Sequence, residues 1–263
     1  MQLMTKYAHD SSTTLNLLAA LLLAGGLTSA HAEAAAAPAA TNTVPKPAPW
    51  LTSASAGLTL TRGNTRTMLA TIGLDTKRKW DQNEASFGLA GGYGTDNGVD
   101  NNKYINGFGQ FNRMYGAKFY AGLRLDGSYD GIAQLDHRLV LSPLVGYYAI
   151  KETNTTLIFE VGPSAVTEKH DLQNEQTYLG FRANERFDHK LSATTRIWES
   201  ISYVPRVDDW VEKYVITAEA GIDAAINKHW SLRVVLQDIY DSQPTTGREK
   251  NDVRLVAGTA YKF

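Results

Sequence analysis

Apolar and polar residues alternate with a period of two from Trp50 onward, in segments separated by turn signals. For example, Leu157, Phe159, Val161 and Pro163 lie on one face, and Glu160 and Ser164 lie on the other. Because successive side chains of a strand point to opposite faces, this pattern predicts β-strands with one apolar face and one charged face. Twelve strands are expected, near residues 50–62, 65–77, 83–94, 103–113, 118–130, 137–150, 156–168, 176–187, 191–204, 211–226, 230–242 and 251–263.

The apolar faces could line the interior of a soluble barrel or the exterior of a membrane barrel. The predicted strands exceed the five or six residues that are typical of soluble sheets, and they suit the 9–11 residues of a tilted membrane span. Aromatic residues lie near strand ends, as in an interfacial girdle: Trp50, Trp80, Trp230 and Phe263 toward one rim, and Trp210 and Tyr240 toward the other. The sequence therefore predicts an all-β fold, a twelve-stranded antiparallel transmembrane outer-membrane β-barrel.

The connections are predicted to alternate between short periplasmic turns and longer outward loops. An even number of strands places both ends of the barrel on the periplasmic side. FDHK (187–190) is assigned to a periplasmic turn. The outward loops are assigned to 95–103, 130–136, 169–175, 205–210 and 242–250.

The last nine residues, LVAGTAYKF, also alternate, with Tyr261 and Phe263 on one face. We interpret Phe263 as lying at the periplasmic membrane interface. An alternating apolar segment that ends in phenylalanine resembles the signal by which barrel-assembly machinery recognises outer-membrane proteins. Tyr261 and Phe263 are therefore the predicted membrane-assembly signal.

The first 49 residues differ from the rest. Lys6, the apolar run 15–27 and Ala30-His31-Ala32 predict a cleaved signal peptide over 1–32, with a short buried helix as the alternative. Residues 33–49 are rich in alanine and proline and predict a disordered linker before the barrel at 50–263. No apolar run has the roughly 18 residues of a transmembrane helix. These features predict export to the outer membrane of a Gram-negative bacterium.

The composition excludes several other classes of protein. The chain has no cysteine, which excludes disulfide scaffolds and cysteine-ligated metal centres. Its formal net charge is -1, and no strongly basic domain suggests a nucleic-acid partner. The expected partners are outer-membrane lipid, lipopolysaccharide and the barrel-assembly machinery.

Charged residues on the polar faces are predicted to project into the barrel lumen, where pairing is expected. The predicted lumen charge network is Arg124, Asp126, Arg138, Glu160, Arg182, Glu219, Asp223, Arg233 and Arg254. One interpretation is a salt-bridge network that fills the interior; the other is a pore lining that selects small polar solutes by charge. Twelve strands fall between the filled eight-stranded barrels and the open barrels of sixteen, and we favour the filled or narrow interior.

No catalytic, cofactor or metal motif is found, so the chain is predicted not to be an enzyme. An outer-membrane hydrolase is the competing class, with Asp136 and His137 as the candidate pair. Adjacent strand residues point to opposite faces, which argues against joint action of these two. Binding or adhesion through the outer loops is a third class.

Two segments resemble a known family. Residues 50–67 contain Gly63-Asn64-Thr65, and the end of the chain contains Tyr240-Asp241, Pro244, Gly247 and Asn251-Asp252. Together they resemble the beginning and end of the domain of unknown function 481 (DUF481) family, often described as salt-induced outer-membrane proteins. The resemblance implies an outer-membrane barrel over residues 50–263 and supplies neither a substrate nor a catalytic residue. The predicted role is structural in the envelope, or restricted porin-like passage of small solutes.

Overall fold

The computed structural model describes residues 49–62, 66–171 and 173–263. The predicted signal peptide (1–32), nearly all of the predicted linker (33–49) and the Gly63-Asn64-Thr65 motif lie outside this range. Twelve strands are present: β1 (Leu51–Arg62), β2 (Arg66–Trp80), β3 (Asn83–Asp96), β4 (Val99–Tyr115), β5 (Phe119–Asp130), β6 (Leu135–Lys151), β7 (Thr155–His170), β8 (Gln176–Lys190), β9 (Thr195–Pro205), β10 (Tyr214–Ala225), β11 (Trp230–Asp241) and β12 (Asn251–Lys262). A short 3-10 helix (Val207–Asp209) lies between β9 and β10.

The strands form one closed barrel in which each strand pairs with its neighbours in the sequence. β1 and β12 close the ring as antiparallel partners, with Ser53 opposite Lys262 and Ala56 opposite Thr259. Closure satisfies the edge strands, which is required where no water can bind exposed backbone groups. The twelve-stranded antiparallel prediction is confirmed.

The outer face of the barrel is apolar and the inner face is polar. On the outside, Leu123 and Leu125 each remain 49% exposed, while on the inside Glu160 is 5% exposed and Ser142 is fully buried. A soluble barrel has the opposite distribution, because exposing so many leucine side chains to water is unfavourable. The exterior therefore faces lipid, and the chain forms a transmembrane β-barrel.

None of the helical segments in the described residues is long and apolar enough to cross a membrane.

The predicted outward loop at 95–103 is wrong, whereas those at 205–210 and 242–250 coincide largely with connections in the structure. β3 and β4 are joined by Asn97 and Gly98 alone, both with positive φ (49° and 85°), so residues 95–103 belong largely to a tight hairpin. The polarity of this segment suggested a loop, but strands that extend beyond the membrane also carry polar residues. FDHK likewise lies within β8, and the turn follows at 191–194. Among the described connections, 206–213 and 242–250 are the long ones.

Aromatic rings inside the barrel lie directly over glycines of the neighbouring strand. Tyr120 pairs with Gly146, and Trp198 pairs with Gly221. A Cβ atom at Gly146 would lie 2.0 Å from the Tyr120 ring, and one at Gly221 would lie 2.1 Å from the Trp198 ring. These glycines therefore provide the space in which the two rings lie flat against the wall.

We expect Gly146→Ala to destabilise the barrel by about 1–3 kcal/mol, because the new methyl group forces Tyr120 out of its position. The measurement is urea unfolding of the refolded protein in lipid vesicles, followed by tryptophan fluorescence. Gly127→Ala is the matched control, since its Cβ would meet only the Leu139 side chain, at 3.4 Å. Equal unfolding free energies for the two variants would contradict this packing.

Candidate functional site: the charged lumen

A cluster of polar side chains occupies the middle of the lumen. We call it the middle cluster, and it consists of Gln110, Tyr120, Arg124, Asp126, Glu160 and Arg182. Arg124 and Asp126 are two residues apart on β5 and therefore share the inward face, with Nη2 2.7 Å from Oδ1. Arg182 on β8 forms a second ion pair with Asp126 and is itself only 4% exposed. One carboxylate thus pairs with two guanidinium groups.

Glu160 is the acceptor that connects three strands of the middle cluster. Its carboxylate accepts hydrogen bonds from Gln110 Nε2 (2.5 Å), Tyr120 Oη (2.6 Å) and Asn184 Nδ2 (3.0 Å). Its direct partners are all uncharged, although Arg124 donates to Gln110 at 2.9 Å. The result is a continuous chain of hydrogen bonds from β4 to β8, which fills this wall of the lumen.

We expect Glu160→Ala to lower the free energy of unfolding by about 2–4 kcal/mol, because the buried Gln110 and Tyr120 and the half-buried Asn184 lose their acceptor. Glu160→Gln keeps one acceptor oxygen and is expected to cost clearly less. Urea unfolding in vesicles compares the two variants with the wild type. If both substitutions cost the same, the hydrogen bonds to Glu160 do not stabilise the barrel.

A second group of ion pairs crosses the lumen at its outer end. We call it the outer bridge, and it consists of Asp130, Arg138, Glu168, Lys213, Asp241 and Arg254. Arg138 contacts Glu168 (Nε to Oε2, 2.6 Å) and Asp241 (Nη2 to Oδ2, 2.7 Å). Lys213 binds the other oxygen of Glu168 at 2.6 Å. Arg254 pairs with Asp130, and its guanidinium lies 4.3 Å from the centre of the Tyr104 ring.

The outer bridge joins nearly opposite walls of the barrel. Arg138 on β6 and Asp241 on β11 are five strands apart in the ring of twelve, and so are Asp130 on β5 and Arg254 on β12. A circular barrel of twelve strands tilted by about 40° would be roughly 24 Å wide. Extended arginine and aspartate side chains in contact span at most about 14 Å between their Cα atoms. The walls must therefore approach each other, and the outer end of the lumen is constricted.

A small cavity lies beside the outer bridge. Its volume is about 270 Å³, and its lining includes Glu168, His170, Arg206, Lys213 and Thr245. Thr245 in the last outer loop makes a hydrogen bond of 3.0 Å with His170 at the end of β7. The loop between β11 and β12 thus contacts the end of β7.

The inner half of the lumen is more accessible to water. Arg233 pairs there with Asp223 (3.0 Å) and with Asp75 (3.3 Å), whose side chain is 60% exposed. Glu219 accepts a hydrogen bond of 2.8 Å from Trp198 Nε1. Lys77 lies on the same inward face as Asp75 and is also exposed. Water therefore reaches the Asp75 and Lys77 side chains in this half of the lumen.

The nine predicted lumen charges divide among these three regions. The middle cluster contains Arg124, Asp126, Glu160 and Arg182; the outer bridge contains Arg138 and Arg254; the inner half contains Glu219, Asp223 and Arg233. Sequence reasoning missed Asp130, Glu168, Lys213 and Asp241. The three acids have the same parity as the inward residues of their strands, but they lie at the ends of the predicted strands, beside the predicted outward loops.

The remaining predicted positions lie away from the lumen. Tyr261 packs against Trp230 and Phe263, with ring centroids 5.1 and 5.0 Å apart, and Phe263 is 74% exposed. Asp136 pairs with Lys169 at 3.0 Å, whereas His137 lies 3.1 Å from Glu175. The candidate acid and base therefore have separate partners. Nowhere in the described residues do three His, Asp or Glu side chains converge as a metal ion would require.

Comparisons with known proteins cover nearly the whole barrel. A model of the family described as "Protein of unknown function, DUF481" matches residues 54–263. Similar solved structures include the translocator domain of the autotransporter NalP from Neisseria meningitidis (14% identity, 81% of this chain, 87% of that chain, TM-score 0.41). The KdgM porin is also similar (11% identity, 81% of this chain, 99% of that chain, TM-score 0.42). So is the NanC porin (6% identity, 81% of this chain, 96% of that chain, TM-score 0.46). No curated protein sequence matches this chain.

Proposed function

The chain belongs to the DUF481 family, and we propose that it is an outer-membrane barrel that restricts the passage of small polar solutes through a narrow, charge-lined lumen. The proposed location is the outer membrane of a Gram-negative bacterium. The cleaved signal peptide over 1–32 and the salt-induced character remain predictions from the sequence and from the family resemblance.

The outer bridge is the observation that carries this proposal. Two ion-paired connections, Arg138 to Asp241 and Arg254 to Asp130, narrow the lumen where a solute would enter. Ion pairs can separate and re-form, whereas a wall of packed apolar side chains cannot admit an ion without desolvating it. A mouth that is closed by charged side chains therefore favours restricted passage over a solid plug.

The lining below the outer bridge supports the same function. Asp75, Lys77 and Arg233 present charges of both signs to the inner half, where water reaches them. Such a lining offers polar contacts to small solutes and does not select strongly for one charge sign. A catalytic role lacks comparable support, because Asp136 and His137, the candidate pair, have separate partners.

We expect the wild-type protein, refolded in a planar bilayer, to give small discrete current steps at 1 M salt. We expect liposomes that contain the protein to swell in glycerol and to swell much more slowly in a disaccharide, because the outer bridge limits the width of the lumen. A protein shown to be folded, yet silent in both assays, would instead indicate a structural barrel of the envelope. Rapid disaccharide entry would contradict the narrow lumen.

A further inference from the structure

The lipid-facing surface of the barrel contains a groove over β3 to β6. The cavity has a volume of about 430 Å³, and its lining includes Leu89, Ile105, Leu125, Leu139 and Tyr129. The floor consists of backbone, because the outward positions there are glycines. We call this feature the lipid-facing groove; its glycines are Gly107, Gly109 and Gly127.

The strand register explains why the groove forms. Gly107 on β4 lies between Leu89 on β3 and Gly127 on β5, so two adjacent outward positions lack side chains. Gly127 in turn lies opposite Leu139 on β6. Leucines therefore stand on both sides of a gap two strands wide. An apolar chain in this gap would contact protein on three sides rather than one.

A cationic side chain lies at the outer end of the groove. Lys103 is two residues before Ile105 on β4, points outward and is exposed. A Cβ atom at Gly131 would lie 2.8 Å from Tyr129 Oη and 3.2 Å from Lys103 Cδ, which places these two side chains beside each other. The Lys103 ammonium makes no ion pair within the described residues, whereas neighbouring Asp100 accepts a hydrogen bond of 2.7 Å from Tyr93.

The length of the groove matches one leaflet of the membrane. Six residues separate Lys103 from Gly109, which is roughly 20 Å along the strand. With a strand tilt of about 40°, this corresponds to roughly 15 Å along the membrane normal, which is half of the hydrocarbon thickness. Since β4 begins at the outer rim, the half in question is the outer leaflet.

We propose that the lipid-facing groove binds one acyl chain of the lipid A part of lipopolysaccharide, with Lys103 contacting a phosphate of the same molecule. The apolar walls and glycine floor suit a saturated chain, and an ammonium beside a phenol suits a phosphate oxygen at the interface. The outer-leaflet position selects lipid A over phospholipid. This site is independent of the lumen and of any passage through it.

Native mass spectrometry of the full chain tests the site. The protein is refolded in mixed micelles that contain equal amounts of lipid A and phosphatidylglycerol, and the lipid that stays bound is identified. We expect the wild type to retain lipid A preferentially. Gly127→Leu is expected to abolish retention, because the new side chain fills the groove. The barrel can accommodate this side chain, since a Cβ at position 127 would lie 3.4 Å from the Leu139 side chain, an ordinary contact distance. Lys103→Gln is expected to reduce retention several-fold.

Ala121→Leu is the matched control, since Ala121 lies on the outward face of the same strand, β5, but outside the groove. It should retain lipid A as the wild type does, and heat-modifiable gel mobility verifies that every variant is folded. Equal retention of lipid A by Gly127→Leu and the wild type would overturn the proposal. Equal retention of phosphatidylglycerol and lipid A by the wild type would overturn it as well, because the contact would then be ordinary annular lipid.

Discussion

Removing both arginines that cross the outer mouth, with Arg138→Ala and Arg254→Ala together, is expected to raise the single-channel conductance severalfold. These are the longest side chains of the outer bridge, and each is only 11% exposed. The acids that they leave keep other partners: Glu168 retains Lys213, and Asp130 accepts hydrogen bonds from the backbone of Ile132 and Ala133, both at 3.0 Å. The barrel should therefore stay folded while the constriction widens.

The same variant is expected to become more selective for cations, because two positive charges leave the narrowest part of the lumen. Reversal potentials in a salt gradient measure this change. The control is Arg206→Ala with Lys169→Ala, which removes two cations from the outer end that pair locally with Asp208 and Asp136. If the control conducts as well as the bridge variant, conductance depends on surface charge and not on the opening of the mouth.

The period-two pattern was sufficient to predict the barrel and the face on which each lumen charge lies. Arg124, Glu160 and Arg233 project inward because side-chain direction follows from strand parity alone. The partners of these charges could not be predicted in the same way. Arg182 reaches Asp126 from three strands away, and Arg138 reaches Asp241 from five. Those contacts depend on the shape of the barrel cross-section, which no local pattern in the sequence records.

Polarity misled the sequence reasoning at the outer end. Asp96, Val99 and Asp100 belong to strands, although their segment is as polar as a loop. A hairpin signal, Asn97-Gly98, was present in the same segment and marks the actual turn. Giving the turn chemistry more weight than the polarity would have extended β3 and β4 correctly.

The middle cluster and the outer bridge differ in how their charges are balanced. In the outer bridge each acid has a second donor, which is Lys213 for Glu168 and backbone N–H groups for Asp130 and Asp241. In the middle cluster Asp126 alone serves two arginines. When one cation of the outer bridge moves away, each acid therefore keeps a hydrogen-bond donor, whereas the loss of Asp126 leaves two arginines without a carboxylate.

We expect Asp126→Ala to lower the free energy of unfolding by about 3–5 kcal/mol, because Arg124 and the buried Arg182 then have no carboxylate partner. Adding Arg182→Met should restore much of the loss, since the methionine fills a similar volume without a charge. Urea unfolding in vesicles of the wild type, both single variants and the double variant completes a thermodynamic cycle. A double variant that is less stable than Asp126→Ala would contradict this account, because it would mean that Arg182 stabilises the lumen through Ser142 and Ser202, its other hydrogen-bond partners at 3.1 Å, and not through Asp126.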